Sequence, residues 1–158
     1  MQPTPRINEA FEIRIDKEGN WYYNNLPIIN RTIYLFFNRH IQHDGQGGYL
    51  LRIGSDTCRL VVEDTPYVVT GVSLAERAVA RGQQFSIRLN DETEEPLDLT
   101  TFYMGRENVP YCRVKEGMFP ARFLRPPYYR LAEHINQSDD GRFFFLLDGE
   151  RVYINEAG

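Results

Sequence analysis

Two stretches of this chain run through the same series of hydrophobic patterns in one register, and that repetition constrains the fold more than any other feature. The first opens with FEIRI at 11–15, which alternates apolar and polar, followed by a DKEGN turn and WYY at 21–23. A period of two with a turn between reads as a β-hairpin. After Pro27 the period changes: Ile33, Phe36, Phe37 and Ile41 fall at i, i+3, i+4 and i+8, the spacing of one helix face. Asn30 or Thr32 supplies the short polar side chain that caps a helix start. DGQGG at 44–48 ends that helix, and YLLRI, GSDT and CRLVVE read as a second hairpin. In the other half VPYCRVKEG and MFPARF form a hairpin, and Pro126 and Pro127 stand where a first helical turn tolerates missing N–H groups. Tyr128, Leu131, Ala132 and Ile135 make the helix face, SDDGR ends it, and FFFLL, DGE and RVYI close with a hairpin. Arg31, Tyr34, His40 and Ile41 recur as Arg125, Tyr128, His134 and Ile135, each 94 residues later, and YLLRI at 49 falls on FFFLL at 143. Outside that span the match slips by one or two residues, as loop insertions produce. The pattern predicts an α+β protein, mostly antiparallel β with two short helices, built by tandem duplication of a hairpin–helix–hairpin unit.

The chain has 158 residues, which suits one domain or two very small ones. Its 21 aromatic residues, 13% of the total, favour pleated, half-buried surfaces. Residues 1–10 read as a flexible tail, 11–75 as the first unit and 76–158 as the second, fused around one core. Between the repeats YVVTGVSL carries the β region to Leu74, AERAVARGQQ fits helix or loop, FSIRL at 85–89 is a strand, and NDETEEPLD reads as a solvated acidic loop.

Several functions are set aside on composition. No apolar run approaches the roughly 18 residues that span a bilayer, and FFFLL at 143–147 is typical of the longest runs. The start, MQPTPRINEAFEIR, lacks the apolar core of a secretory signal, so a cytoplasmic location is expected. Cys58 and Cys112 give neither a disulfide framework nor zinc spacing and sit in strand-like runs as buried thiols. A net charge of −4 argues against nonspecific nucleic-acid binding.

Gly19, Trp21, Pro27, Ile28, Leu35, Phe36, Asp44, Gly45, Tyr49 and above all VEDTPYV at 62–68 carry a family likeness. On these residues the chain resembles the bacterial domain-of-unknown-function family 1285, through most of 11–154 and more clearly in the first half. The resemblance implies a mixed α+β core made by duplication, with a second half superficially like pleckstrin homology domains. It also implies a ligand site between the halves, for a nucleotide-like molecule, and a signalling role.

The residues themselves point to one region. From 106 to 130 there are six basic residues (Arg106, Arg113, Lys115, Arg122, Arg125, Arg130) against Glu107 and Glu116, a local charge of +4, interleaved with Tyr111, Phe119, Phe123, Tyr128 and Tyr129. Arginine forks bind phosphate or carboxylate at two points and stack on aromatic faces. Arg31 and Arg125 also precede helix starts, where the dipole disfavours a cation unless an anion is near. Arg31, Arg122, Arg125, Tyr128 and Glu63 are therefore the expected binding residues for a small anionic ligand. Asp91, Glu92, Glu94, Glu95 and Asp98, or Glu63 and Asp64, are the protein carboxylates that would pair with the arginines instead.

Glu63 and Asp64 as a catalytic pair are disfavoured, because neighbours on an extended strand point to opposite faces. His40, His43 and Asp44 lack a third strong ligand nearby, so no metal is assigned. GQGG lacks the Lys and Ser/Thr of a phosphate loop, and Ser55 and Ser73 lack a nucleophile-elbow context. No cofactor and no catalytic residue are expected. The sequence therefore supports a binding or signalling module for a small anion, with a protein-interaction or oligomerisation domain as the alternative and a small hydrolase acting through Glu63 or Asp64 as the third.

Overall fold

Alternation becomes burial at the first hairpin. In β1 (Arg6–Ile15) and β2 (Trp21–Tyr23), Ile13, Ile15 and Trp21 are buried while Arg14 between them is not. The turn is built by the Asp16 carboxylate, which accepts from the N–H groups of Glu18 and Asn20, both at 2.9 Å. The computed structural model describes residues 6–74 and 85–156, and the chain divides into two units, Met1–Pro66 and Tyr67–Gly158. AERAVARGQQ and the first half of the expected N-terminal tail lie outside the described residues; the rest of that tail belongs to β1. The dividing point precedes the expected 75/76 because the strand that follows Pro66 pairs with strands of the second unit.

The first unit continues with β3 (Leu26–Pro27), α1 (Arg31–Asn38), β4 (Ile41–His43), β5 (Tyr49–Ile53) and β6 (Asp56–Val62). They form one six-stranded sheet in the order β3-β2-β1-β6-β5-β4, antiparallel except where β1 lies parallel to β6. Asn24 and Asn25 take positive φ (45° and 67°) in the two-residue turn between β2 and β3, a conformation asparagine tolerates better than most residues. Asn30 caps α1, its side chain accepting from the Ile33 N–H at 3.2 Å.

The second unit has β7 (Tyr67–Leu74), β8 (Phe85–Leu89), β9 (Glu94–Pro96), β10 (Tyr103–Met104), β11 (Pro110–Val114), β12 (Phe119–Phe123), α2 (Arg125–Ala132), β13 (Ile135–Gln137), β14 (Phe143–Leu147), β15 (Glu150–Tyr153) and β16 (Asn155–Glu156). A seven-stranded sheet runs β16-β10-β11-β12-β7-β8-β9 and a three-stranded one β13-β14-β15. Phe102, fully buried, lies edge-on to Phe123 and Phe145, each at 5.5 Å, and Phe85 meets Phe145 at 6.3 Å. Among the described residues no helix is long and apolar enough to cross a membrane.

The duplication holds down to hydrogen-bond register. From α1 to the end of the first unit every element recurs 94 residues later: α1 as α2, β4 as β13, β5 as β14, and β6 as β15 plus β16. Ile41 pairs with Leu51 as Ile135 does with Phe145, and Ile53 with Asp56 as Leu147 does with Glu150. A row crossing the first sheet reads Val61, Arg14, Tyr22, Pro27. Its counterpart in the second unit reads Asn155, Tyr103, Tyr111, Arg122. Thus β10, β11 and β12 take the places of β1, β2 and β3, and both units share one six-strand order. The second unit adds β7, β8 and β9 beyond β12.

Three expectations are corrected. The hairpin β11–β12 corresponds to β2–β3, not to β1–β2, because β3 and β10 are two residues long and show no period. The helix faces end earlier than read: Ile41 and Ile135 belong to strands. Ile33 and Phe36 stand open, while the polar Asn38 is buried because its Oδ1 accepts from the Trp21 indole N–H at 3.0 Å. The acidic stretch is not a plain loop, since Glu94–Pro96 forms β9 against β8.

The Trp21–Asn38 bond predicts a measurable cost. Asn38→Ala should strand the indole N–H and lower stability by about 1–3 kcal/mol. Urea unfolding followed by the fluorescence of Trp21 reads this directly. An unchanged midpoint would show that the bond contributes nothing.

Candidate functional site

The expected binding residues divide between the units. Arg31 and Glu63 lie in the first; Arg122, Arg125 and Tyr128 lie in the second. Arg122 is half-buried in β12 between Tyr111 on one side and Val68 on the other. Tyr111 in turn stacks on Tyr103 at 5.3 Å and 18°. Arg125 opens α2 and is exposed, and the half-buried Tyr128 sits 6.0 Å from the Tyr129 ring. With Pro126 and Pro127 in the first turn and the Tyr128 N–H donated to the Leu124 carbonyl at 3.1 Å, the start of α2 offers few backbone donors to an anion.

Other members of the basic run have structural work. Arg113 donates from Nε to the Gly117 carbonyl at 2.9 Å, within the β11–β12 turn. Lys115 reaches back to the acidic stretch, its Nζ 2.7 Å from Asp91 and 3.0 Å from Thr93 Oγ1, while its N–H donates to the Glu95 carboxylate at 3.0 Å. Glu92 pairs with Arg88 at 3.8 Å, and Asp98 caps the 3-10 turn Leu99–Thr101. The run is therefore not one continuous cationic patch.

Glu63 is a structural pin. Its N–H donates to the Ile15 carbonyl at 3.0 Å and its carboxylate accepts from the Lys17 N–H at 2.8 Å, closing the parallel β1–β6 pair. His40 Nδ1 lies 2.7 Å from the Phe36 carbonyl. Asp44 accepts from the N–H groups of Gln46 and Gly48, and these bonds hold its carboxyl below the usual range. Among the described residues no three His, Cys, Asp or Glu side chains gather as a metal site. Both cysteines are free and buried, and burial pushes their thiols up.

The surface that sequence reasoning did not single out lies at the open edge of the first unit. Leu26 is 68% exposed, Ile29 88%, Ile33 44% and Phe36 43%. These residues fall in the strand β3, the loop after it and the helix α1 that follows. Two of them have covered counterparts in the second unit: Ala121 replaces Leu26 and is fully buried, and Pro127 replaces Ile33 and is buried, while Phe36 corresponds to the exposed Arg130; beside them Leu131, fully buried, replaces the half-buried Phe37. The difference is β7, which pairs with β12 and packs against α2, whereas among the described residues β3 has no strand on its outer side. One signal was legible: residues 19–43 contain no Asp or Glu, in a chain with 22 of them, yet hold Arg31 and Arg39.

The Lys115–Asp91 pair generates a pH prediction. Burial raises the Asp91 carboxyl, but the hydrogen bonds from Lys115 and Thr93 outweigh it and its pKa lies below the usual value. A carboxyl depressed in the folded state stabilises fully above its unfolded pKa, near about 3.9, and loses that contribution as pH falls through the folded value. Asp91→Asn should therefore lower stability by about 1–3 kcal/mol at neutral pH. The gap to the parent protein should narrow in urea titrations at a pH below about 3. An equal gap at both pH values would refute the assignment.

No family model and no curated protein matches the chain. Solved structures do match it in fold. A DUF1285 family protein from Silicibacter pomeroyi DSS-3 superposes with a TM-score of 0.75 at 19% identity, covering 96% of this chain and 84% of that one. A DUF1285 family protein from Shewanella baltica OS155 gives a TM-score of 0.65 at 18% identity, over 82% of this chain and 96% of that one. The six-strand frame and its repeat thus agree with the likeness read from VEDTPYV and its companions: in fold, this chain resembles the DUF1285 family.

Proposed function

We propose that the chain is a non-enzymatic protein-interaction module whose contact surface is the apolar edge formed by Leu26, Ile29, Ile33 and Phe36. The observation that carries this reading is their joint exposure in one 11-residue segment, 26–36. Exposed apolar side chains gathered in one short segment, rather than scattered singly over a surface, mark interaction sites. The rim supports an acidic partner, because 19–43 holds Arg31 and Arg39 and no carboxylate. It also disfavours a symmetric self-contact, which would set the same arginines against each other.

Peptide display against the full chain tests the reading. Enriched peptides should bind at least tenfold more weakly to Ile29→Asp and Ile33→Asp variants that keep the parent urea midpoint. Failure to enrich any peptide, or equal binding by those variants, would overturn it.

A second reading keeps a small anionic, nucleotide-like ligand and a signalling role, with Arg122, Arg125 and Tyr128 in contact. Its support is Arg125, exposed and without an ion pair among the described residues, next to Tyr128 on one helix. Thermal-shift titration with nucleotides and phosphorylated metabolites should raise the melting temperature, and Arg125→Gln should abolish the shift. No shift at millimolar anion would remove this reading.

A further inference from the structure

We infer that the first unit accepts an extended apolar segment of a partner protein as an added strand, parallel to β3 and packed beneath α1. This rests on the β3–α1 edge being the contact surface, and it adds how the partner is held. The argument is the internal repeat. The row Asn155, Tyr103, Tyr111, Arg122 continues onto Val68 of β7, while among the described residues the equivalent row in the first unit stops at Pro27. The chain therefore contains its own example of how this edge is completed.

In that example β7 runs parallel to β12, with Tyr67 beside Ala121, Val68 beside Arg122 and Val69 beside Phe123. The Leu124 N–H donates to the Val69 carbonyl at 3.1 Å, so the backbone of Val69 faces β12. Val68 faces the other way, exchanging bonds with Asn90 at 3.0 Å. In the first unit Leu26, Pro27 and Ile28 stand where Ala121, Arg122 and Phe123 do, and one extra residue precedes the helix. Pro27 cannot donate, which guards the edge against indiscriminate pairing, but its carbonyl still accepts. The N–H groups of Ile29 and Asn30 donate to no backbone carbonyl among the described residues. An added strand would pair through these groups while its side chains cover Leu26 and Ile33, as β-augmentation does elsewhere.

The occupant's chemistry follows from the same comparison. The covering segment in the second unit is β-branched and apolar, YVVTGV. The arginines and the missing carboxylates of 19–43 add a preference for acidic residues on the partner.

A fluorescent synthetic peptide copying residues 63–73, EDTPYVVTGVS, tests this with the full chain by anisotropy. Saturable binding that Ile33→Asp abolishes would locate it on the first unit. N-methylation of the amide copying Val69 should weaken binding at least tenfold, and N-methylation of the amide copying Val68 should leave it within twofold. Binding at the edge that tolerates both methylations equally would overturn strand addition while leaving the contact surface intact. No binding of this peptide, alongside display peptides that do bind the edge, would overturn the inference and spare the broader reading. A dimer by light scattering that Ile33→Asp converts to monomer, with no peptide bound, would assign the edge to a second copy instead.

Discussion

Each unit is closed by one parallel pairing, β1 with β6 in the first and β10 with β16 in the second. Parallel neighbours cannot be joined by a tight turn; they need a crossover, which here carries the hairpin partners and the helix. Everything else depends on that closure. It sets the six-strand order, fixes the helix on its sheet and leaves one strand, β3 or β12, at the end of the repeated frame. Glu63 secures the closure in the first unit through Ile15 and Lys17, which gives it a structural place in VEDTPYV.

The repeated frame then separates what is architecture from what is particular to each unit. Where the two agree, as in the register of β4 with β5 and β13 with β14, the residues serve folding. Where they differ, a physical cause is visible. Leu131 is fully buried because α2 packs against β7, whereas Phe37, its counterpart, is half-buried for want of such a strand. The exposed Leu26 and Ile33 are the same frame without its last neighbour. A fold that repeats itself thus supplies a reference state for its own unfinished edge.

Much of this was legible in the residues, and the remainder was hidden for definite reasons. The span from Arg31 onward was readable because side-chain identity and period agree over helix, turn and hairpin. The strands β3 and β10 are two residues long and show no period, so periodicity alone matches β11–β12 to the first hairpin rather than to β2–β3. The basic run was visible as charge, but its division into the Lys115–Asp91 pair, the Arg113–Gly117 bond and the exposed Arg125 depends on contacts distant in sequence. Ile33 and Phe36 carried a helical period that usually means burial. Only the count of strands on each side of the frame shows that this face is open.

The central claim is that one edge is completed and its repeat is not. Residue-resolved amide hydrogen exchange on the full chain tests it most directly, because exchange reports the backbone bonds themselves. The Leu124 amide, bonded to Val69, should be among the protected amides of the second unit, while Ile29 and Asn30 should exchange at rates near those of an open chain. Equal protection at Leu124, Ile29 and Asn30 would contradict the account, since the edge of β3 would then already be filled.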